Sequence, residues 1–151
     1  MKITSPAFHD GGILPTRFTC DGTGKSPPFH WDEVPPGTLE FGLVCEDPDA
    51  PGGIFTHWLL YKIPSGTRRL EEGLPQDEVL SFGANQGTND FGTVGYGPAC
   101  PPRGRKHRYI FRLYALEADL LVPPGAKRQQ VVEIMNDHVL EEAQIKAMYE
   151  R

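Results

Sequence analysis

Along residues 39–45, LEFGLVC, apolar side chains alternate, with Leu39, Phe41, Leu43 and Cys45 on one face. A period of two marks a half-buried β-strand. Residues 54–63, IFTHWLLYKI, are apolar on both faces. Phe55, His57, Leu59, Tyr61 and Ile63 share one; Ile54, Trp58 and Leu60 share the other. A strand covered on both sides gives that pattern. Residues 107–116, HRYIFRLYAL, behave alike, with His107, Tyr109, Phe111 and Leu113 opposed to Arg108, Ile110, Arg112 and Tyr114. Weaker strand signals lie at 2–8, 16–20 and 79–84. After Pro123-Pro124-Gly125 the period changes. Val131, Ile134, Met135, His138 and Val139 fall at i, i+3, i+4, i+7 and i+8, one stripe of an amphipathic helix that starts near Pro124 and Gly125.

Strands bounded by turns, without alternating helices, predict a mainly β fold of antiparallel sandwich or barrel type, not a βαβ sheet. A C-terminal helical segment packs at its end. No internal repeat or long linker divides the chain, so residues 1–151 read as one domain.

Composition narrows the function classes. The 17 glycines and 15 prolines exceed a fifth of the chain, against about 12% in ordinary domains. They are spread between apolar runs and read as ordered turns. The net charge of −5 argues against nucleic-acid binding driven by bulk charge, though not against a local anion site. No stretch approaches the roughly 18 apolar residues of a membrane span. MKITSPAF has no apolar h-region, so the cytoplasm is the expected compartment. Cys20, Cys45 and Cys100 are odd in number, widely spaced and free of any CxxC pair, and are expected to be free thiols.

Three constellations carry candidate chemistry. In Asp47-Pro48-Asp49-Ala50-Pro51 each proline fixes its own φ and extends the residue before it, so both aspartates sit on a stiff backbone. A solvated turn is the plain alternative. Gly95-Tyr96-Gly97-Pro98-Ala99-Cys100-Pro101-Pro102-Arg103-Gly104 combines close backbone approach with rigidity. An X-Pro bond there, Pro101-Pro102 first, is a candidate for the cis form. Arg103, Arg105, Lys106 and Arg108 make a basic island able to attract phosphate or carboxylate.

The third constellation is a pair of histidines, His57 and His107, each early in a strand, after a stiff polar loop and beside aromatic residues. A lone strand histidine is more often structural. Two in the same relation to such loops point to a shared pocket, where imidazoles and tyrosine hydroxyls donate to an anion. Asp47 can accept a proton from one ring nitrogen and fix its tautomer.

Enzymatic alternatives are weaker. There is no GxSxG elbow, Walker loop or HExxH motif. Cys100 with His107 and Asp47 imitates a thiol triad, but spacing alone does not place the sulfur at an imidazole. Asp, His and His suggest a metal, yet no short-spaced ligand pair supports one. No cofactor is expected.

Together these motifs resemble the phosphatidylethanolamine-binding protein family, also called the Raf kinase inhibitor protein family, in its shorter prokaryotic form. The resemblance rests on Asp47-Pro48-Asp49-Ala50-Pro51 followed by His57-Trp58, and on Gly97-Pro98-Ala99-Cys100-Pro101-Pro102 leading to His107-Arg108-Tyr109. Asn89-Asp90-Phe91-Gly92, Phe18-Thr19-Cys20-Asp21-Gly22 and Ser26-Pro27-Pro28 add to it.

The resemblance implies a Greek-key-type β-sandwich of two antiparallel sheets with a small anion pocket at one end. The pocket would hold phosphate, phosphorylethanolamine-like or carboxylate groups. Carried over by motif position, its ligand-binding residues are Asp47, His57, Gly97, Pro98, Pro101, His107 and Tyr109. Asp49, Pro51, Trp58, Pro102 and Arg108 would support them. The expected function is non-enzymatic anion binding, as a regulatory module. The alternatives are an inhibitor of a protein kinase or protease acting through a surface loop, and a hydrolase or thiol enzyme. Expected partners are the small anion, a kinase or protease, and a second copy in a homodimer.

Overall fold

The computed structural model describes all residues, Met1–Arg151. Ten elements follow in order: β1 (Lys2–Thr4), β2 (Gly12–Ile13), β3 (Phe29–Asp32), β4 (Glu40–Asp47), β5 (Phe55–Pro64), β6 (Arg69–Leu70), β7 (Asn85–Gln86), β8 (Lys106–Leu116), α1 (Arg128–Asn136) and β9 (Val139–Glu150). They form two sheets, one of order β1-β3-β6 and one of order β2-β9-β8-β4-β5-β7. The sandwich closes on a core between them. Trp31, Phe29 and Leu70 of the small sheet meet Phe41, Leu43, Trp58, Leu60, Phe111 and Leu113 of the large one. The outer face of the large sheet is covered too. Val44, Leu59, Tyr61 and Leu116 pack beneath Val131 and Met135 of α1 and the Leu120–Val122 segment.

This double cover corrects the reading of β4 as half-buried: all of its residues are buried, and Leu39, just outside it, is exposed. β5 and β8 form where the apolar runs place them. The weaker signals resolve differently. Only Lys2–Thr4 of 2–8 is a strand, residues 16–18 make a single 3-10 turn, and 79–84 is a loop. Every peptide bond is trans, Pro101–Pro102 included.

The helix is real but short. It ends at Asn136, and the chain then turns at Asp137 and His138 into β9. Glu, Ala, Gln, Lys and Met in this tail favour helix locally. They also alternate, with Ala143, Ile145, Ala147 and Tyr149 facing inward. β8 offers a long unpaired edge, and β9 pairs with it from Lys106↔Glu150 to Leu116↔Val139. Satisfying that backbone edge outweighs propensities of a few tenths of a kcal/mol per residue.

The cysteine expectation is also corrected. Cys20 and Cys100 form a disulfide across 80 residues, and only Cys45 is free and buried. Local spacing carries no sign of such a link. It arises because Thr19 and Ala99 bridge in parallel and the Cys20 N–H donates to the Ala99 carbonyl.

Candidate anion-binding pocket

Topology brings the two histidines together. β4 runs antiparallel to both β5 and β8, so its end lies beside the starts of both neighbours. Asp47 thereby faces Phe55 in register, with His57 and His107 close by. A cavity of about 220 Å³ opens there. Asp47, Ala50, Pro51, Phe55, His57, Phe91, Cys100, Pro101, Pro102, His107 and Tyr109 line it.

A β-bulge aims His57. Cys45 pairs with Trp58 and Glu46 with Thr56, which leaves His57 as the extra residue. Bulges redirect side chains that strict alternation would send elsewhere. His57 and Trp58 therefore both turn toward the inter-sheet side, although the sequence pattern put them on opposite faces. The His57 ring lies 5.2 Å from that of Tyr109, and Trp58 packs on Tyr96 in the core. A second bulge at Tyr61–Lys62 swings Ile63 to the inter-sheet side as well, and Lys62 takes a positive φ there.

Each imidazole is tied at Nδ1. His107 donates to Asp47 Oδ2 over 2.7 Å, both side chains being at most 4% exposed. Asp47 Oδ1 accepts the Asp49 N–H at 2.8 Å, so both carboxylate oxygens are held. His57 donates Nδ1–H to the Gly97 carbonyl at 2.7 Å, and the Gly97 N–H donates back to the His57 carbonyl. Burial pushes the His57 imidazole down and keeps it neutral at ordinary pH. Burial likewise pushes the Tyr109 hydroxyl up, so it stays a proton donor. His107 Nε2 is buried with no partner in the protein. Buried polar atoms are rarely left so.

The supports are electrostatic and steric. Arg108 grips Asp49 through its side chain and its backbone N–H, and this holds the Asp49 carboxyl down to about 2. The Asp49 link therefore persists above the ordinary aspartate value of 3.8 and is lost only as pH falls through about 2. Phe91 closes one wall, its ring 4.7 Å from Phe55 and 5.5 Å from His57. Asn89 holds that turn by accepting the Phe91 N–H and donating to the Gly95 carbonyl. Asp90 clamps it to β5 by accepting the Thr56 N–H at 2.7 Å.

Most residues expected at the site meet at this cavity. Gly97 and Pro98 do not line it. Gly97 orients His57 through its carbonyl, and Pro98 packs against Gly24. Trp58 stands behind the wall, donating to Gln86 Oε1. Arg108 points outward to Asp49. Phe55, Phe91 and Ala50 are lining residues that residue-by-residue reasoning missed, while Cys100, weighed there only as a thiol nucleophile, lines the cavity too. The Asn89–Gly92 motif was the available signal for Phe91. The Cys100 sulfur is spent in the disulfide, so the thiol triad has no thiolate. No cluster of three His, Cys, Asp or Glu side chains suited to a metal is present.

Sequence comparison bears on the same motifs. The model of the family described as phosphatidylethanolamine-binding protein matches residues 4–150. This chain belongs to the phosphatidylethanolamine-binding protein family. Its relatives include a "UPF0098 protein" of Methanothermobacter thermautotrophicus, 47% identical over the whole of this chain and 99% of that one. Among solved structures it is similar to E. coli YBCL, described as a new member of the mammalian PEBP family. The TM-score is 0.93 at 33% identity, covering 99% of this chain and 98% of that one. It is also similar to a putative PEBP homologue from Chlamydia trachomatis, with a TM-score of 0.90 at 35% identity over 99% and 97% of the two chains.

Proposed function

We propose that this member of the phosphatidylethanolamine-binding protein family is a non-enzymatic binding protein. Its cavity between His57 and His107 receives a phosphate- or carboxylate-bearing group. The observation that carries this reading is the buried Asp47–His107 pair, whose outer nitrogen has no protein partner. A buried polar atom is costly unless it is hydrogen-bonded, and a ligand in the cavity would supply the partner that this nitrogen lacks. The volume suits a head group and not a lipid with its acyl chains; drug-sized ligands need about 300 Å³ or more. Arg103 and Arg105 are exposed on the short loop between two lining residues, Pro102 and His107, and form no ion pair, which favours approach by an anion.

The test is calorimetric titration with inorganic phosphate and phosphorylethanolamine. Asp47→Asn and His107→Ala should each weaken binding about 10- to 100-fold, the cost of losing one charged hydrogen bond. Unchanged affinity in both variants, with unchanged melting, would remove the cavity from the function. Capture of a partner protein by wild type but not by these variants would make the cavity the recognition element of a regulatory module.

A further inference from the structure

The reading of this cavity as an anion site leaves a proton unaccounted for. The Gly97 carbonyl and the Asp47 carboxylate only accept hydrogen bonds, so each histidine carries its proton on Nδ1. In the neutral rings both Nε2 atoms are then lone pairs, and neither has a partner in the protein. The one committed donor among the polar side chains lining the cavity is the Tyr109 hydroxyl. A fully ionised oxyanion is acceptor-only. It would meet two lone pairs and the Asp47 carboxylate behind them, a repulsive arrangement.

We propose that oxyanion capture is coupled to uptake of about one proton, with His107 becoming an imidazolium against Asp47 as its counter-ion. His107 would then present Nε2–H to the anion, and release would follow as pH rises. The groups around His107 favour that ring over its neighbour. Asp47 at the end of β4 and Asp49 in the following turn are anionic and face it. Tyr149 lies opposite on β9 with its hydroxyl donated to Asp21. Tyr109 on β8 is neutral, and Arg108 is spent on Asp49. His57 on β5 is hydrogen-bonded only to a carbonyl; Asp47 and Asp90 act on it from a distance and neither accepts a hydrogen bond from its ring, so a charge is balanced less directly there than on His107. His107 is thus a specificity-determining residue: it makes the cavity select for anions under conditions where the site can be protonated.

Sulfate separates the possibilities, because it holds no proton near neutral pH and any proton taken up must land on the protein. Titration calorimetry at pH 6 and pH 8, in buffers of different ionisation enthalpy, reads both affinity and proton uptake. The expected result is affinity falling with pH by up to about tenfold per unit, with proton uptake approaching one per sulfate at pH 8 and smaller at pH 6, where an ordinary imidazole already holds much of its proton. Phosphate and phosphorylethanolamine at pH 8 should also take up about one proton, and the tighter of the two identifies a free anion or a head group as the source.

His107→Gln replaces the titrating donor with a permanent amide N–H. It should bind more weakly but without pH dependence, its melting temperature confirming the fold. Sulfate bound equally at pH 6 and pH 8, with no buffer-dependent heat, would overturn the coupling while leaving the anion site standing. Undiminished pH dependence in His107→Gln would also overturn it, by placing the proton elsewhere. No binding of any of the three anions at pH 6 would overturn the anion site itself.

Discussion

At the scale of single residues, Gly97 shows how much of the cavity depends on an atom that is absent. A Cβ there would lie 2.3 Å from Phe91 Cδ2, well inside contact distance. The missing side chain lets the Phe91 ring seat beside His57, while the Gly97 carbonyl fixes the imidazole. Gly97→Ala is expected to displace the ring, lower stability by about 1–3 kcal/mol and weaken phosphate binding. Denaturant unfolding and calorimetry together check it. Native stability with native affinity would mean that the Phe91 wall is dispensable.

Glu40 is a second residue whose surroundings set its chemistry. It is buried at the start of β4, and burial pushes its carboxyl from 4.5 up to about 7, against the lowering effect of the Leu120 N–H it accepts and of nearby Lys62. A raised carboxyl favours the folded state when protonated. That contribution is full below about 4.5 and is lost as pH rises through about 7. Glu40→Gln keeps an oxygen for Leu120 and carries no charge. It should raise stability by about 2 kcal/mol at pH 8 and change it little at pH 4. Urea unfolding at the two pH values reads the difference.

At the scale of elements, the disulfide holds one wall of the cavity to a distant part of the chain. Cys100 and its neighbours Pro101 and Pro102 line the cavity, and the link to Cys20 fixes them against the turn that follows β2. Tyr96 reinforces the docking by donating its hydroxyl to the Phe18 carbonyl. Closing a loop of this length restricts the unfolded chain by about 4 kcal/mol on the chain-entropy view. Replacing both cysteines by serine should cost about that much in thermal or denaturant unfolding, and should loosen phosphate binding through the freed proline wall. A double variant that keeps full affinity would confine the disulfide to stability.

The same elements show what was readable from the chain. β4, β5 and β8 announced themselves because they are buried and their apolar positions are dictated by the core. β9 did not, because its residues favour helix and only the open edge of β8 makes it a strand. The bulge at His57 was invisible for the same reason: it is defined by register against β4, which no local pattern encodes. The disulfide joins residues whose neighbourhood exists only after the sandwich closes. The rigid DPDAP turn and the proline-rich loop were legible, since proline constrains its own backbone wherever it stands.

At the scale of the molecule, an acidic chain gathers its polar chemistry at one end of the sandwich. Two apolar clusters, one on each face of the large sheet, support it from below. Antiparallel pairing of one central strand with two neighbours converts three separated motifs into a single site. The chain carries five histidines, and His9, His30 and His138 lie outside the cavity lining, so they serve as internal controls. The most direct measurement is nitrogen-15 NMR of the histidine side chains during a phosphate titration at pH 6. The account expects the His57 and His107 ring signals to move together along one saturating curve while the other three stay still. If the two rings respond independently, or if phosphate leaves both unmoved, His57 and His107 do not share an anion site.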